Sequence, residues 1–153
     1  MPATIGSPAP AFSLLDQDRN AVSLDDVTGK KSVIVFIPFP FTAICDAEAC
    51  AIRDNLGPLS GLGANVAVVT CHAVQINKKW SDDNGFTFPV LSDFWPHGRV
   101  ATEFGAFNEK VGVANRMSFV LDSDGIVRSI INSGSLGTAR EFAAYTDALG
   151  EID

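Results

Sequence analysis

Residues 32–37, Ser32-Val33-Ile34-Val35-Phe36-Ile37, form a continuous β-branched and aromatic run. A strand with one wet face would alternate polar and apolar residues. An unbroken apolar run is the mark of a central strand covered on both faces. The rest of the chain must therefore supply a sheet around this strand and layers on either side of it. Pro38 and Pro40 end the run, because proline has no N–H to give to a sheet ladder.

The flanking segments fit that demand. Pro8 and Pro10 stiffen the entry to a short strand over 11–15, and residues 21–24 return as the second arm of a hairpin across the polar turn 16–20. Thr42 opens a helical stretch to about Leu56, bounded by Gly57-Pro58. Asn65 to Cys71 is a second buried strand, followed by a helix over 74–84 with Ile76 and Trp80 four residues apart. A short helix is expected within 94–104. The segments 117–121 and 126–131 flank Asp122-Ser123-Asp124-Gly125, a hairpin signal. A last helix runs from about Thr138 to Leu149, with Gly150 as its C-cap. The order is that of an α/β thioredoxin-like fold: a mixed central sheet flanked by helices, with an added N-terminal β-hairpin. At 153 residues, 11 of them Phe, the chain 1–153 is read as a single domain.

A formal charge of −7 argues against nucleic acid, whose phosphates would be repelled. No apolar stretch reaches the roughly 18 residues of a membrane span, and the N-terminus lacks the basic and apolar segments of a signal peptide. A cytoplasmic location is expected, where thiols stay reduced and cysteines are more often catalytic than structural. There are three, Cys45, Cys50 and Cys71. They form no CxxC pair, and His72 and His97 have no metal-site spacing, so neither a metal nor a cofactor is expected and both histidines read as non-catalytic.

Cys45 lies in Pro38-Phe39-Pro40-Phe41-Thr42-Ala43-Ile44-Cys45, between the core strand and the following helix. With Thr42 as N-cap, Cys45 falls in the first helical turn, where backbone N–H groups lack intrahelical partners. Those donors and the positive end of the helix dipole favour a thiolate, the nucleophilic form. The Thr42 hydroxyl can accept from the helix backbone while donating to a bound oxygen. A buried structural cysteine is the competing reading of the same position.

These residues resemble the peroxiredoxin family. Pro38, Thr42 and Cys45 match its pattern of Pro, three residues, Thr or Ser, two residues, Cys. Arg116, in Asn115-Arg116-Met117-Ser118-Phe119-Val120-Leu121-Asp122, matches its active-site arginine at a strand start. The stretches 6–12 and 86–93 extend the likeness over most of the chain. Residues 92–98 and 107–109 are similar to the AhpE-type group. The resemblance implies a thiol-dependent peroxidase acting on hydrogen peroxide, organic hydroperoxides or peroxynitrite. Cys45 would attack, Thr42 would orient the peroxide oxygens, and Arg116 would stabilise thiolate and leaving oxygen. Glu48, one helical step from Cys45, would hold Arg116, against the alternative of a solvated helix glutamate.

Attack yields a sulfenic acid that must be reduced. AhpE-type proteins typically have one cysteine, whereas many of the bacterioferritin-comigratory, or Q-type, group carry a resolving cysteine at the Cys45–Cys50 spacing. On a regular helix that spacing puts the Cα atoms roughly 8–9 Å apart, a rise of about 7.5 Å and a turn of about 140°. A disulfide needs less than about 7 Å, so the helix start must unwind for Cys50 to serve. Cys50 as a small buried helix residue is the alternative, and Cys71 is a second candidate for resolution. The expected reductant is thioredoxin, a mycoredoxin or a low-molecular-weight thiol. A homodimer is implied, with residues 40–42 and 94–96 at its contact. A cysteine-based redox sensor and a thioredoxin-fold thiol–disulfide oxidoreductase are the rival functions.

Overall fold

The computed structural model describes residues 2–152. Its centre is a seven-stranded sheet in the order β2 (Ala21–Ser23), β1 (Ser13–Leu15), β5 (Val90–Ser92), β4 (Ala64–Thr70), β3 (Lys31–Phe36), β8 (Met117–Leu121) and β9 (Val127–Asn132). The strand read first in the sequence is β3, and it lies between β4, parallel to it, and β8, antiparallel. β5 runs parallel to β4, and β9 pairs antiparallel with β8. The N-terminal hairpin, β1 and β2, joins the far edge through Leu15 and Ser92. The sheet is thus mixed, as expected.

Side-chain alternation along β3 divides the core in two. Ile34 and Phe36 point to one face, with Ala67, Val69, Phe119 and Leu121 of the neighbouring strands. Val33, Val35 and Ile37 point to the other, with Val66, Val68 and Val120. The first face is covered by α1 (Leu24–Val27), α5 (Arg99–Phe104) and the small ribbon β6 (Phe107–Asn108) with β7 (Val113–Ala114). Phe36, Phe104 and Phe119 meet there at centroid distances of 5.0–5.8 Å, in the tilted and edge-on geometries aromatic rings favour. The second face is covered by α2 (Ala43–Asp54), α4 (Val74–Asn84) and α6 (Ala143–Gly150), with α3 (Leu56–Gly61) beside β4. No helix among the described residues is long and apolar enough to cross a membrane.

Several expectations are corrected. Gly57-Pro58 does not bound a helix but lies inside α3, where Pro58 sits in the first turn and its missing N–H would have had no helical partner. Ile76 is 43% exposed whereas Trp80 is fully buried, so the two do not share an apolar face; the inner side of α4 is Asn77, Trp80 and Ser81. The last helix begins at Ala143, not near Thr138, and Gly150 is its final residue, with Glu151 in right-handed geometry as the cap. The chain before it is held in other bonds, described below. The short strands β5, β6 and β7 carry too few residues for a period to register.

Candidate active site

The turn from β3 into α2 is built by its own backbone. Ile37 extends the β3–β4 ladder by donating to the Val69 carbonyl at 2.9 Å, and Pro38 then stops it. Phe41 adopts φ 72°, left-handed backbone that a residue with a Cβ enters only at a cost. That kink turns the chain so that Thr42 takes the N-cap position of α2 in extended geometry. Its hydroxyl does not cap the helix, contrary to expectation. It donates to the Phe39 carbonyl at 2.7 Å, and the Asp46 N–H donates to the Thr42 carbonyl at 2.8 Å.

Cys45 is buried in the first turn of α2, and its sulfur accepts the Phe39 N–H at 3.4 Å. The residues of α2 that face inward are Cys45, Glu48, Ala49 and Ile52, the i, i+3, i+4, i+7 stripe of an amphipathic helix. Glu48 is therefore not a solvated glutamate: the helix forces a carboxylate into the core, where it must be paired.

Two arginines pair it. Arg116, just ahead of β8, donates through Nη1 to Glu48 Oε1 at 2.6 Å and through Nε to the Leu136 carbonyl at 2.6 Å. Arg140 donates through Nε and its backbone N–H to Glu48 Oε2 at 2.8 and 2.7 Å, and through Nη2 to Oε1 at 2.9 Å. Arg140 Nη1 reaches the Phe36 carbonyl and the Ser118 hydroxyl, which also bonds the Tyr145 hydroxyl at 2.9 Å. Burial pushes the Glu48 carboxyl up, but the bonds and charge of Arg140, and then Arg116, outweigh it and hold the group below the usual glutamate range. Two guanidiniums against one carboxylate leave one unit of positive charge in the cluster.

Thr42 and Arg116 line one depression of about 300 Å³ with Phe39, Ala43, Ile44 and Leu136. The fold thus brings together Thr42, Arg116 and Glu48, next to the loop whose Phe39 contacts the Cys45 sulfur. The Pro38 carbonyl lies 3.1 Å from His72 Nε2. A larger depression, about 420 Å³, is bordered by Leu15, Val74, Phe94 and Trp95 and contains no cysteine. Trp80 is core, with its indole turned to Asp46, and does not line the site.

The other two cysteines differ sharply. Cys50 is half-buried on α2 and donates to Asn84 Oδ1 of α4 at 3.6 Å. Cys71 is buried just past β4, and burial together with the nearby Asp93 charge pushes its thiol up to about 12, so it stays protonated at neutral pH. That weakens Cys71 as a resolving nucleophile.

Arg140 was not legible as a site residue, because residues 138–149 read as one helix. Its backbone and side chain are instead committed to Glu48, and this is why α6 starts late. The available signal was Glu48 itself: a carboxylate on the apolar stripe of a helix requires a cationic partner. Leu136 offers only a backbone carbonyl, which no residue pattern announces.

Residues 5–130 match the AhpC/TSA family. The chain is 40% identical over 149 residues to alkyl hydroperoxide reductase E of Mycobacterium tuberculosis (strain ATCC 25618 / H37Rv), covering 97% of each chain. It is 30% identical over 137 residues to peroxiredoxin Bcp of Escherichia coli (strain K12), covering 86% of each. The solved structure of peroxidoxin BcpB from Mycobacterium tuberculosis superposes with a TM-score of 0.84 at 27% identity, over 97% of this chain and 95% of that one. Enterococcus faecalis AhpC gives 0.87 at 26%, over 97% and 91%. A strand-to-helix cysteine, an arginine–glutamate cluster beside it and likeness along nearly the whole chain agree: this protein belongs to the AhpC/TSA family and is a peroxiredoxin, a thiol-dependent peroxidase.

Proposed function

We propose that Cys45 is the residue that attacks the peroxide, with Thr42 and Arg116 orienting it and Glu48 and Arg140 holding Arg116 in place. The observation that carries this is the buried Glu48 clasped by two arginines, one of which shares a depression with Thr42. The cluster's excess positive charge is the complement of an anionic sulfur and of the charge that moves onto the departing oxygen. Attack forms an S–O bond and breaks the O–O bond. The sulfur is oxidised by two electrons to sulfenic acid, and the leaving oxygen takes up a proton as water or alcohol. Pro38 removes a donor and ends the strand where the loop must begin.

Organic hydroperoxides belong among the substrates on the strength of the related alkyl hydroperoxide reductase E, beside hydrogen peroxide and peroxynitrite. Cys50 resolves the sulfenic acid in this reading, and thioredoxin, a mycoredoxin or a low-molecular-weight thiol returns the disulfide to thiols. The residues 1–153 act as one domain, a reading supported by the single seven-stranded sheet with core on both faces. The active form is a homodimer through Phe41, Phe94 and Trp95, which are 47%, 51% and 82% exposed. A cytoplasmic setting keeps the three thiols reduced.

Peroxide consumption in the presence of a reducing system tests the central assignment. Rapid turnover that disappears in Cys45→Ser is expected. Oxidation of Cys45 without turnover would replace the peroxidase role of this residue with that of a sensor.

A further inference from the structure

A bond between Cys45 and Cys50 cannot form while α2 is intact, since both lie in one regular helix, Ala43–Asp54, with Cα atoms roughly 8–9 Å apart by helix geometry. Whatever holds the first turn of α2 therefore governs resolution. One side chain there has two partners outside the helix. Oδ1 of Asp46 accepts the Trp80 indole N–H from α4 at 2.7 Å and the Phe41 N–H at 3.2 Å. Trp80 is fully buried, so its N–H cannot be handed to water, and Phe41 is the left-handed residue that turns the chain into α2. The carboxylate thus ties the kink, the first helical turn and the neighbouring helix through one atom. The other end of the segment meets the same helix: Cys50 donates to Asn84 Oδ1, and Arg53 Nη1 to the Asn84 carbonyl at 2.8 Å.

We propose that Asp46 is a latch that keeps the start of α2 closed on α4, and that its release sets how fast Cys50 reaches oxidised Cys45. This rests on the reading of Cys50 as the resolving residue. When the turn opens, Asp46 leaves Trp80 and Phe41. Cys50 sulfur then attacks Cys45 sulfur, the S–S bond forms and the S–O bond breaks. The hydroxide leaves as water with the Cys50 proton. While the latch holds, the sulfenic acid stays exposed to a second peroxide, which oxidises it to sulfinic acid and leaves as water or alcohol. The latch thus divides oxidised protein between a recoverable and a spent form. Because the bonds are to an ionised acceptor, they are stronger than neutral ones, and their loss is expected to raise opening roughly tenfold.

Two measurements on the full-length protein test this. Asp46→Ala removes the acceptor at a half-buried position, Trp80→Phe removes the donor together with part of a buried ring, and Asp46→Asn keeps both the ring and an Oδ1 in place. Amide hydrogen exchange over residues 46–48, whose N–H groups are the first to bond back into the helix, reads opening directly, with α6 as internal reference, and quenched mass spectrometry after one equivalent of peroxide reads the 45–50 disulfide. Exchange in the first turn is expected to rise roughly tenfold in Asp46→Ala and Trp80→Phe, and far less in Asp46→Asn. Disulfide formation should accelerate by the same factor, with less sulfinic acid at equal peroxide dose. Faster exchange with no disulfide in any variant upholds the latch and overturns Cys50. Unchanged exchange in both disruptive variants, or disulfide rates that ignore faster exchange, overturns the latch.

Discussion

Glu48 shows how much a single residue can decide. Its position on the inward stripe of α2 brings a charge into the core, and that charge organises Arg116, Arg140, the Leu136 carbonyl and the Ser118–Tyr145 pair around it. Arg140 spends its guanidinium on both Glu48 oxygens, the Phe36 carbonyl and the Ser118 hydroxyl. Arg140→Met should therefore destabilise the protein by about 1–3 kcal/mol, read as a lower urea midpoint, because the Phe36 carbonyl and the Ser118 hydroxyl lose a buried donor while Glu48 keeps Arg116 and the backbone N–H of residue 140. Arg140→Lys should recover little, since one ammonium cannot match that planar fork. Cys71 provides a second residue-scale prediction. Its thiol is held up at about 12 by burial and Asp93, whereas an unfolded cysteine ionises near 8.5. The folded state keeps its proton after the unfolded state has lost it. Its stabilising contribution is complete below about 8.5 and fades as pH climbs toward about 12. Cys71→Ala should flatten the alkaline decline of the urea midpoint between these limits, whatever its constant packing cost.

At the scale of elements, the β3–α2 connection matters most. A core strand delivers the chain to the sheet edge, Pro38 ends it, the Phe41 kink redirects it, and the Thr42 hydroxyl braces the loop through the Phe39 carbonyl. The same Phe39 gives its N–H to the Cys45 sulfur, so Thr42 fixes the residue that contacts that sulfur. Thr42→Val should preserve folding, since the position is exposed, yet slow peroxide reduction by roughly 10²–10³, the usual loss for one polar group at a reacting centre. Thr42→Ser should retain most of the rate; stopped-flow traces of Trp fluorescence on peroxide addition would measure both. Elements also mark where local pattern misleads. Residues 138–142 have helical composition, but Arg140 binds Glu48 through backbone and side chain alike, and α6 waits until Ala143. By contrast the 122–125 turn forms as its residues dictate. Asp122 Oδ1 accepts from Asp124 and Ile126, and Gly125 supplies φ 78°.

For the whole molecule, the sheet order puts the hairpin β1–β2 at one edge and β9 at the other, with the Cys45 turn beside the central strand. The large exposed side chains Phe41, Phe94 and Trp95 lie in or beside segments read from the sequence as dimer contacts. Trp95→Glu should shift the protein toward monomer in sedimentation velocity without unfolding it, because a charge on an exposed ring position opposes apolar association. A monomeric wild type would remove that reading.

The layered α/β class is legible in one unbroken apolar strand, and the placement of Cys45 at the strand-to-helix turn in Pro38 and Thr42. These are local properties: period, proline chemistry and helix-end donors act within a few residues. The burial of Glu48 between two arginines 68 and 92 residues away, and the meeting of Asp46 with Trp80 across two helices, arise only once the chain is folded. Such pairings depend on which faces the sheet brings together. A carboxylate in the sequence states its need for a partner but not which of the chain's cations the fold will bring to it.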